Sequence, residues 1–272
     1  YTGPGAARGR ALYLHTSPEY AMKRLLAAGS GSIFQVSKVF RDGEAGRLHN
    51  PEFTMLEWYR VGYDHRALMQ EVAELVTGLL SAHIPLAATE SLSYQEAFQR
   101  HTGIDPDRAS HEQFAACAAS HAIHPPDELV GRHDAALWRE LLLSHVVEPR
   151  LGVGRLTFVY DYPASQAALA RVRPGVPPLA SRFELYVNGI ELANGFHELA
   201  DAAEQRTRFE RQLRARTAAR LPAVPLDERL LAALTEGLPD CAGVALGFDR
   251  LVMLAAGART LEEVIAFPID QA

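Results

Sequence analysis

The sequence predicts an α+β fold in which an antiparallel sheet is flanked by helices. Three observations predict it. Runs of β-branched and aromatic residues with period-two character lie toward both ends of the chain. A long stretch of helical pattern separates them, and an Asn-Gly pair joins two of the late strands. The composition of the 272 residues, 48% hydrophobic and 22% charged, is that of an ordinary globular chain. No apolar run approaches the ~18 residues of a membrane span, and no secretory pattern opens the sequence. Cys117 and Cys241 are far apart without metal-type spacing, so they read as free thiols of a cytoplasmic protein. A net charge of −6 argues against a large nucleic-acid footprint.

Taken in order, "LHTSPEYAMKRLLAAGSG" opens with a helix. Ser17 can cap it, Pro18 suits its first turn, Glu19 favours its positive end and Gly29 stops it. Strands follow at 32–41 and 53–63, making a hairpin whose eleven-residue tip is long enough to expect a function. Residues 65–148 read as helical, with Asp64 ahead of one helix and a Ser93/Glu96 capping box ahead of another. His101, His111, His121, His124 and His133 make no i, i+4 pair with a third ligand, so a metal site is not expected there. After Gly154 come strands at 156–163 and around Asn188-Gly189, helices at about 202–219 and 227–236, then a glycine-rich strand running into a helix. The arginine-rich segment 204–220 interleaves acids and reads as a solvated helix face.

The stretch "GIELANGFHEL" (189–199), with Glu184 just upstream, sets three glutamates seven residues apart. A type I′ turn at Asn188-Gly189 pairs Val187 with Ile190, Tyr186 with Glu191, Leu185 with Leu192 and Glu184 with Ala193. Glu184, Tyr186 and Glu191 then share one face, and the two carboxylates become diagonal neighbours. Like charges that close call for a cation, and oxygen-only ligation suits Mg²⁺; a solvated polar face is the alternative. Glu198 falls on the opposite face unless a bulge, expected at Asn194-Gly195, turns it back.

Arg41 ends the first hairpin strand, and Arg250 follows "GVALGFD" at a strand-to-helix junction. Arginine stabilises the negative charge that builds up in phosphoryl chemistry. Neither a Walker-type nor a Rossmann glycine pattern occurs in the chain, so an ATP site here needs another architecture.

These segments resemble a known family. "FRDGEAGRLHNPEFTMLEWY" looks like motif 2 of the class II aminoacyl-tRNA synthetases and "GVALGFDRLVML" like motif 3. Within the lysyl branch, "YDYPASQAALA", "GIELANGFHELADA" and "PDCAGVALGFDRLVMLAAGARTLEEVIAFPID" are similar to the elongation factor P–lysine ligases, stand-alone paralogues of lysyl-tRNA synthetase. The resemblance implies one catalytic domain over residues 1–272, with a helical insertion at about 65–150. It implies adenylation of a lysine-like amino acid, (R)-β-lysine, with ATP and Mg²⁺, and transfer to a lysine of elongation factor P. No tRNA or membrane partner is implied. The alternatives are a lysyl-tRNA synthetase core and an inactive regulatory paralogue.

Carried over, Arg41 and Arg250 are catalytic, gripping the α-phosphate and the γ-phosphate side. Asp42, Glu44, Asn50, Glu191, Leu192 and Gly247 complete the ATP residues, and Glu184 with Glu191 carries Mg²⁺. Ser17, Pro18, Glu19, Tyr59, Asn194, Glu198 and Ala245 bind the amino acid; Glu198 and Tyr59 read its side-chain ammonium, and Glu19 its other amine. The Ala245 methyl, where the tRNA synthetases have glycine, narrows the pocket in favour of the β-amino isomer. Gly43 stands where the family's motif 2 glutamate is usual, so either Glu44 takes over or that adenine contact is lost. Motif 1, which builds the family's dimer, is expected upstream of Tyr1, so a homodimer is expected of a longer chain that carries it.

Overall fold

The computed structural model describes residues 13–126, 129 and 134–271; His133 lies outside them. In chain order the elements begin with α1 (Glu19–Ala27), β1 (Ile33–Phe40), β2 (Glu52–Val61) and α2 (His65–Leu80). Next come β3 (Ala87–Ser93), α3 (Tyr94–Thr102), α4 (His111–Ser120), α5 (Ala135–Leu142), β4 (Arg155–Pro163) and the short β5 (Val172–Arg173). The chain closes with β6 (Leu179–Val187), β7 (Ile190–His197), α6 (Ala202–Ala218), α7 (Glu228–Gly237), β8 (Cys241–Gly247) and α8 (Phe248–Ala256). They form two compact units, one of Tyr1–Gly62 with Ala200–Ala272, the other of Tyr63–Leu199.

In the first unit β2 pairs antiparallel with both β1 and β8. The small residues of β8 decide what this sheet can hold. Gly243, Ala245 and Gly247 stand opposite Tyr59, Glu57 and Met55, so the larger side chains of β2 meet little bulk from the neighbouring strand. Helix α1 packs against α7, burying Met22 and Leu26 on one side and Leu230, Leu231 and Leu234 on the other. Each such side chain contributes ~1.5–3 kcal/mol on leaving water. At the entry of α1, Pro18 takes the capping position and Ser17 Oγ accepts the Glu19 N–H at 2.9 Å. Beyond its end, Gly29 adopts a φ of +86°. The segment around α6 is exposed for most of its length but buries Gln205, Arg208 and Phe209, so its arginine-rich face is solvated as its composition predicts.

In the second unit β6 pairs antiparallel with β4, β5 and β7, while β3 runs parallel to β4. Strand β3 lies inside the stretch read as helical. Its "AATESLS" offers no apolar periodicity, and most of its side chains face outward; backbone pairing along β4 defines it. The helix signals around it hold. Ser93 and Glu96 form the capping box of α3, and Asp64 accepts the Ala67 N–H at 2.8 Å to cap α2. The core gathers Tyr94, Phe98, Phe114, Trp138, Leu142 and Val146 with Val159 and Tyr162 of β4. Cys117 and Cys241 are buried thiols.

The β6–β7 turn has the positive φ angles a type I′ turn needs, +50° at Asn188 and +74° at Gly189. Its first two pairs, Val187–Ile190 and Tyr186–Glu191, follow the sequence reading. The next two shift by one, to Leu185–Ala193 and Glu184–Asn194. Leu192 is therefore the bulged residue, two positions earlier than the bulge expected at Asn194-Gly195. Pairing on both sides places it: the turn fixes Val187–Ile190 and Tyr186–Glu191, β6 holds Leu185 against Ala193 and Glu184 against Asn194, and the extra residue falls between them. The parity change is the expected one. Asn194 and Phe196 stand opposite Glu184 and Arg182, and Glu198 lies one residue beyond the end of β7.

Candidate active site

In the first unit, α1 and β2 build a buried acidic cluster. Glu57 is 2% exposed, on the same strand face as Tyr59 and directly opposite Ala245. Tyr59 donates to Glu57 Oε1 at 2.6 Å, and Ser17 donates to Oε2 at 2.8 Å. Glu19 lies beside the cluster, in an ion pair of 2.7 Å with the buried Lys23. Pro18 is buried at the start of the helix. Desolvation, reinforced by the charge of Glu19, pushes the Glu57 carboxyl up to about 7 against the pull of its two hydroxyl donors and Lys23. A buried carboxylate in want of positive charge suits an ammonium ligand.

The β1–β2 loop supplies the arginines. Arg41 is exposed, with its guanidinium 5.2 Å from the Phe53 ring centroid and 3.9 Å from Glu44. Gly43 takes a φ of +77° beside the exposed Asp42, which a glutamate at that place would adopt only under strain. Arg250, in the first turn of α8, donates from Nε to the Leu48 carbonyl at 3.3 Å and lies 3.0 Å from His49 Nε2. Burial first, then the Arg250 charge, hold His49 below its ordinary pKa, so the ring accepts from the guanidinium. Gly247 caps this helix, and a methyl there would meet the Arg250 side chain at 3.5 Å. Asn50 is buried with its amide on the backbone, donating to Glu52 O at 2.6 Å and accepting from the Ile269 N–H at 3.0 Å.

In the second unit the hairpin brings Glu184, Tyr186, Glu191 and Asn194 to one face. Glu184 is surrounded by donors. Tyr162 and Tyr186 give their hydroxyls to Oε2 at 2.6 and 2.5 Å. Arg182 and, at 3.3 Å, Asn194 Nδ2 donate N–H groups to Oε1. Burial raises the Tyr162 and Tyr186 hydroxyls well above their ordinary pKa and the Glu184 charge adds to it, so both stay protonated as donors. Glu184 and Glu191 are the carboxylates of this face that would hold Mg²⁺, with the orientation of Glu184 fixed by its donors and part of its charge matched by Arg182. Leu192 is buried at the bulge, and Glu198 is 2% exposed, bridged through its backbone to Ala170.

A family profile described as tRNA synthetases class II (D, K and N) matches residues 4–271. The chain belongs to this class II tRNA synthetase family. Three curated relatives, from Klebsiella pneumoniae (strain 342), Edwardsiella ictaluri (strain 93-146) and Salmonella paratyphi B, are each 53% identical over 272 residues. The match covers 100% of this chain and 82% of theirs, and each is named elongation factor P–(R)-beta-lysine ligase.

Of the residues assigned to the amino acid, Ser17, Glu19, Tyr59 and Ala245 lie around Glu57 in the first unit; the sequence reading passed over Glu57 and Lys23. The signal for Glu57 was present: "MLEWY" sets an acid two residues before Tyr59, hence on the same strand face amid apolar residues. Arg182 was also missed, although its place two residues before Glu184 predicts a shared face in the same way. Among the described residues no group of three or more His, Cys, Asp or Glu clusters as a metal cage, and no helix is long and apolar enough to cross a membrane.

Proposed function

We propose that this chain is an ATP-dependent ligase that activates (R)-β-lysine as its adenylate and passes the acyl group to a lysine side chain of elongation factor P in the cytoplasm. The family membership and the shared name of the relatives support the reading. The observation that carries it is the buried Glu57, bonded to Ser17 and Tyr59 with Glu19 alongside, because an amino acid with two ammonium groups neutralises this acidic excess. Glu19 and Glu57 with Tyr59 are the partners we assign to the amines, with Ser17 and Pro18 setting the helix entry and Ala245 limiting room. Glu198 and Asn194 are assigned to the amino acid by the family resemblance.

In the first step the substrate carboxylate attacks the α-phosphorus of ATP and pyrophosphate leaves. Arg41 stabilises the charge growing on the α-phosphate, and Arg250 holds the γ-phosphate end. Asp42, Glu44, Asn50, Leu192 and Gly247 are assigned to the nucleotide. Glu184 and Glu191 would hold Mg²⁺, which supplies charge neutralisation at the phosphates. In the second step the acceptor amine attacks the mixed anhydride, an amide forms and AMP departs.

Intact-mass measurement of elongation factor P after incubation with this protein, ATP, Mg²⁺ and (R)-β-lysine tests the reading, alongside a tRNA-charging assay. A gain of one lysyl unit on the protein, with tRNA uncharged, is expected. Charged tRNA with unmodified protein would overturn it in favour of a lysyl-tRNA synthetase core.

A further inference from the structure

The Glu184–Glu191 face already contains a cation. Arg182 donates to Glu184 Oε1, and its other contacts fix it in place. One terminal nitrogen donates to the Gln166 carbonyl at 2.8 Å, and Nε lies 3.3 Å from Asn194 Oδ1. The guanidinium plane sits 4.5 Å from the Tyr162 ring centroid. Its side chain is 16% exposed; burial opposes its charge most, but Glu184, Tyr162 and Glu191 together outweigh that cost and keep it charged. Swinging this guanidinium away would break four interactions at once. It is a permanent charge.

We propose that Arg182 is a resident counter-cation that makes metal binding at the Glu184–Glu191 pair conditional on the nucleotide. This rests on the assignment of that pair to Mg²⁺ and adds a rule for how the site loads. Two carboxylates alone carry a formal charge of −2, and a fixed guanidinium on one of them reduces this to −1. Mg²⁺ gives up its water reluctantly and needs concentrated negative charge to do so. With Arg182 in contact, the pair lacks that charge until a triphosphate adds its own. Metal therefore arrives with ATP and leaves with pyrophosphate, and the empty site rejects free divalent ions. The same guanidinium offsets the repulsion between the two carboxylates while the site is empty.

The test is Mn²⁺ binding measured by electron paramagnetic resonance, with and without a non-hydrolysable ATP analogue. Wild-type protein should bind Mn²⁺ at least tenfold more weakly without the analogue than with it. Arg182→Gln should bind nucleotide-free Mn²⁺ at least tenfold more tightly than wild type, whereas Arg182→Lys should resemble wild type. Should Arg182→Gln fail to fold, Asn194→Asp keeps Arg182 but sets a carboxylate against both its Nε and Glu184 Oε1, offsetting the guanidinium charge, and must tighten nucleotide-free Mn²⁺ binding likewise. Equal Mn²⁺ affinity of wild type in both states, or a folded Arg182→Gln no tighter than wild type, overturns the role of Arg182. Undiminished Mn²⁺ binding to a folded Glu184→Gln/Glu191→Gln double variant with the analogue present overturns the metal assignment itself.

Discussion

Glu57 shows how one buried carboxyl couples substrate recognition to pH. Its folded-state pKa of about 7 lies above the ordinary carboxylate range, so the ligand-free protein prefers it protonated. Its contribution to stability is thus full at acid pH and is lost as pH rises through about 7. Ammonium binding has the opposite demand, since it needs the carboxylate. The KM for the amino acid should fall several-fold between pH 6 and 8, and Glu57→Gln should raise KM and flatten the profile; steady-state pyrophosphate exchange across that range reads both. Glu191→Gln should abolish pyrophosphate exchange while shifting the thermal melting point little, and wild-type exchange in that variant would remove Glu191 from the metal site. The residues that sequence reading found and those it missed differ in kind. Arg41, Arg250 and the glutamate series announce themselves through neighbouring glycines and spacing. Glu57 and Arg182 carry only the quieter signal of standing two residues before Tyr59 and Glu184 on a strand, with no glycine or repeat to mark them.

At the scale of elements, local signals and hairpin turns were legible, and pairing between distant strands was not. The caps at Asp64 and Ser93, and the Asn188-Gly189 turn, depend on a few adjacent residues, and each forms as its sequence indicates. Strand β3 and the bulge at Leu192 are set by distant partners, so no window of sequence around them specifies the outcome. The hairpin also depends on its surroundings. Gly152 has a φ of +69°, and a methyl there would lie 2.4 Å from the Tyr186 carbonyl oxygen, a backbone atom that cannot step aside. Gly152→Ala combines left-handed strain with a steric clash and should cost ~3 kcal/mol or more. Urea denaturation measures it, and the loss should be accompanied by weaker Mn²⁺–nucleotide binding because Tyr186 carries Glu184.

The whole molecule carries two tryptophans, Trp58 in the first unit and Trp138 in the second. Single-tryptophan variants can therefore follow each unit separately. The lysine-like substrate should raise the urea midpoint reported by Trp58, because Glu19, Glu57 and Tyr59 belong to that unit, and at a hundredfold excess over Kd the stabilisation is ~2.7 kcal/mol. An unmoved Trp58 transition at saturating substrate would remove the amine-binding role from the acidic cluster. The general α+β class was readable because strand-like runs flank a helical block; the division into two units was not, since it depends on which segments meet. That division has a consequence in time. Strand β2 ends at Val61 and its partner β8 begins at Cys241, so roughly 180 residues separate two strands that lie side by side. At a synthesis rate of about 5–20 residues per second, the hairpin of β1 and β2 waits on the order of ten to forty seconds for its third strand. The whole of the second unit leaves the ribosome in that interval. The unit that holds Glu57 is thus begun before the other and completed after it.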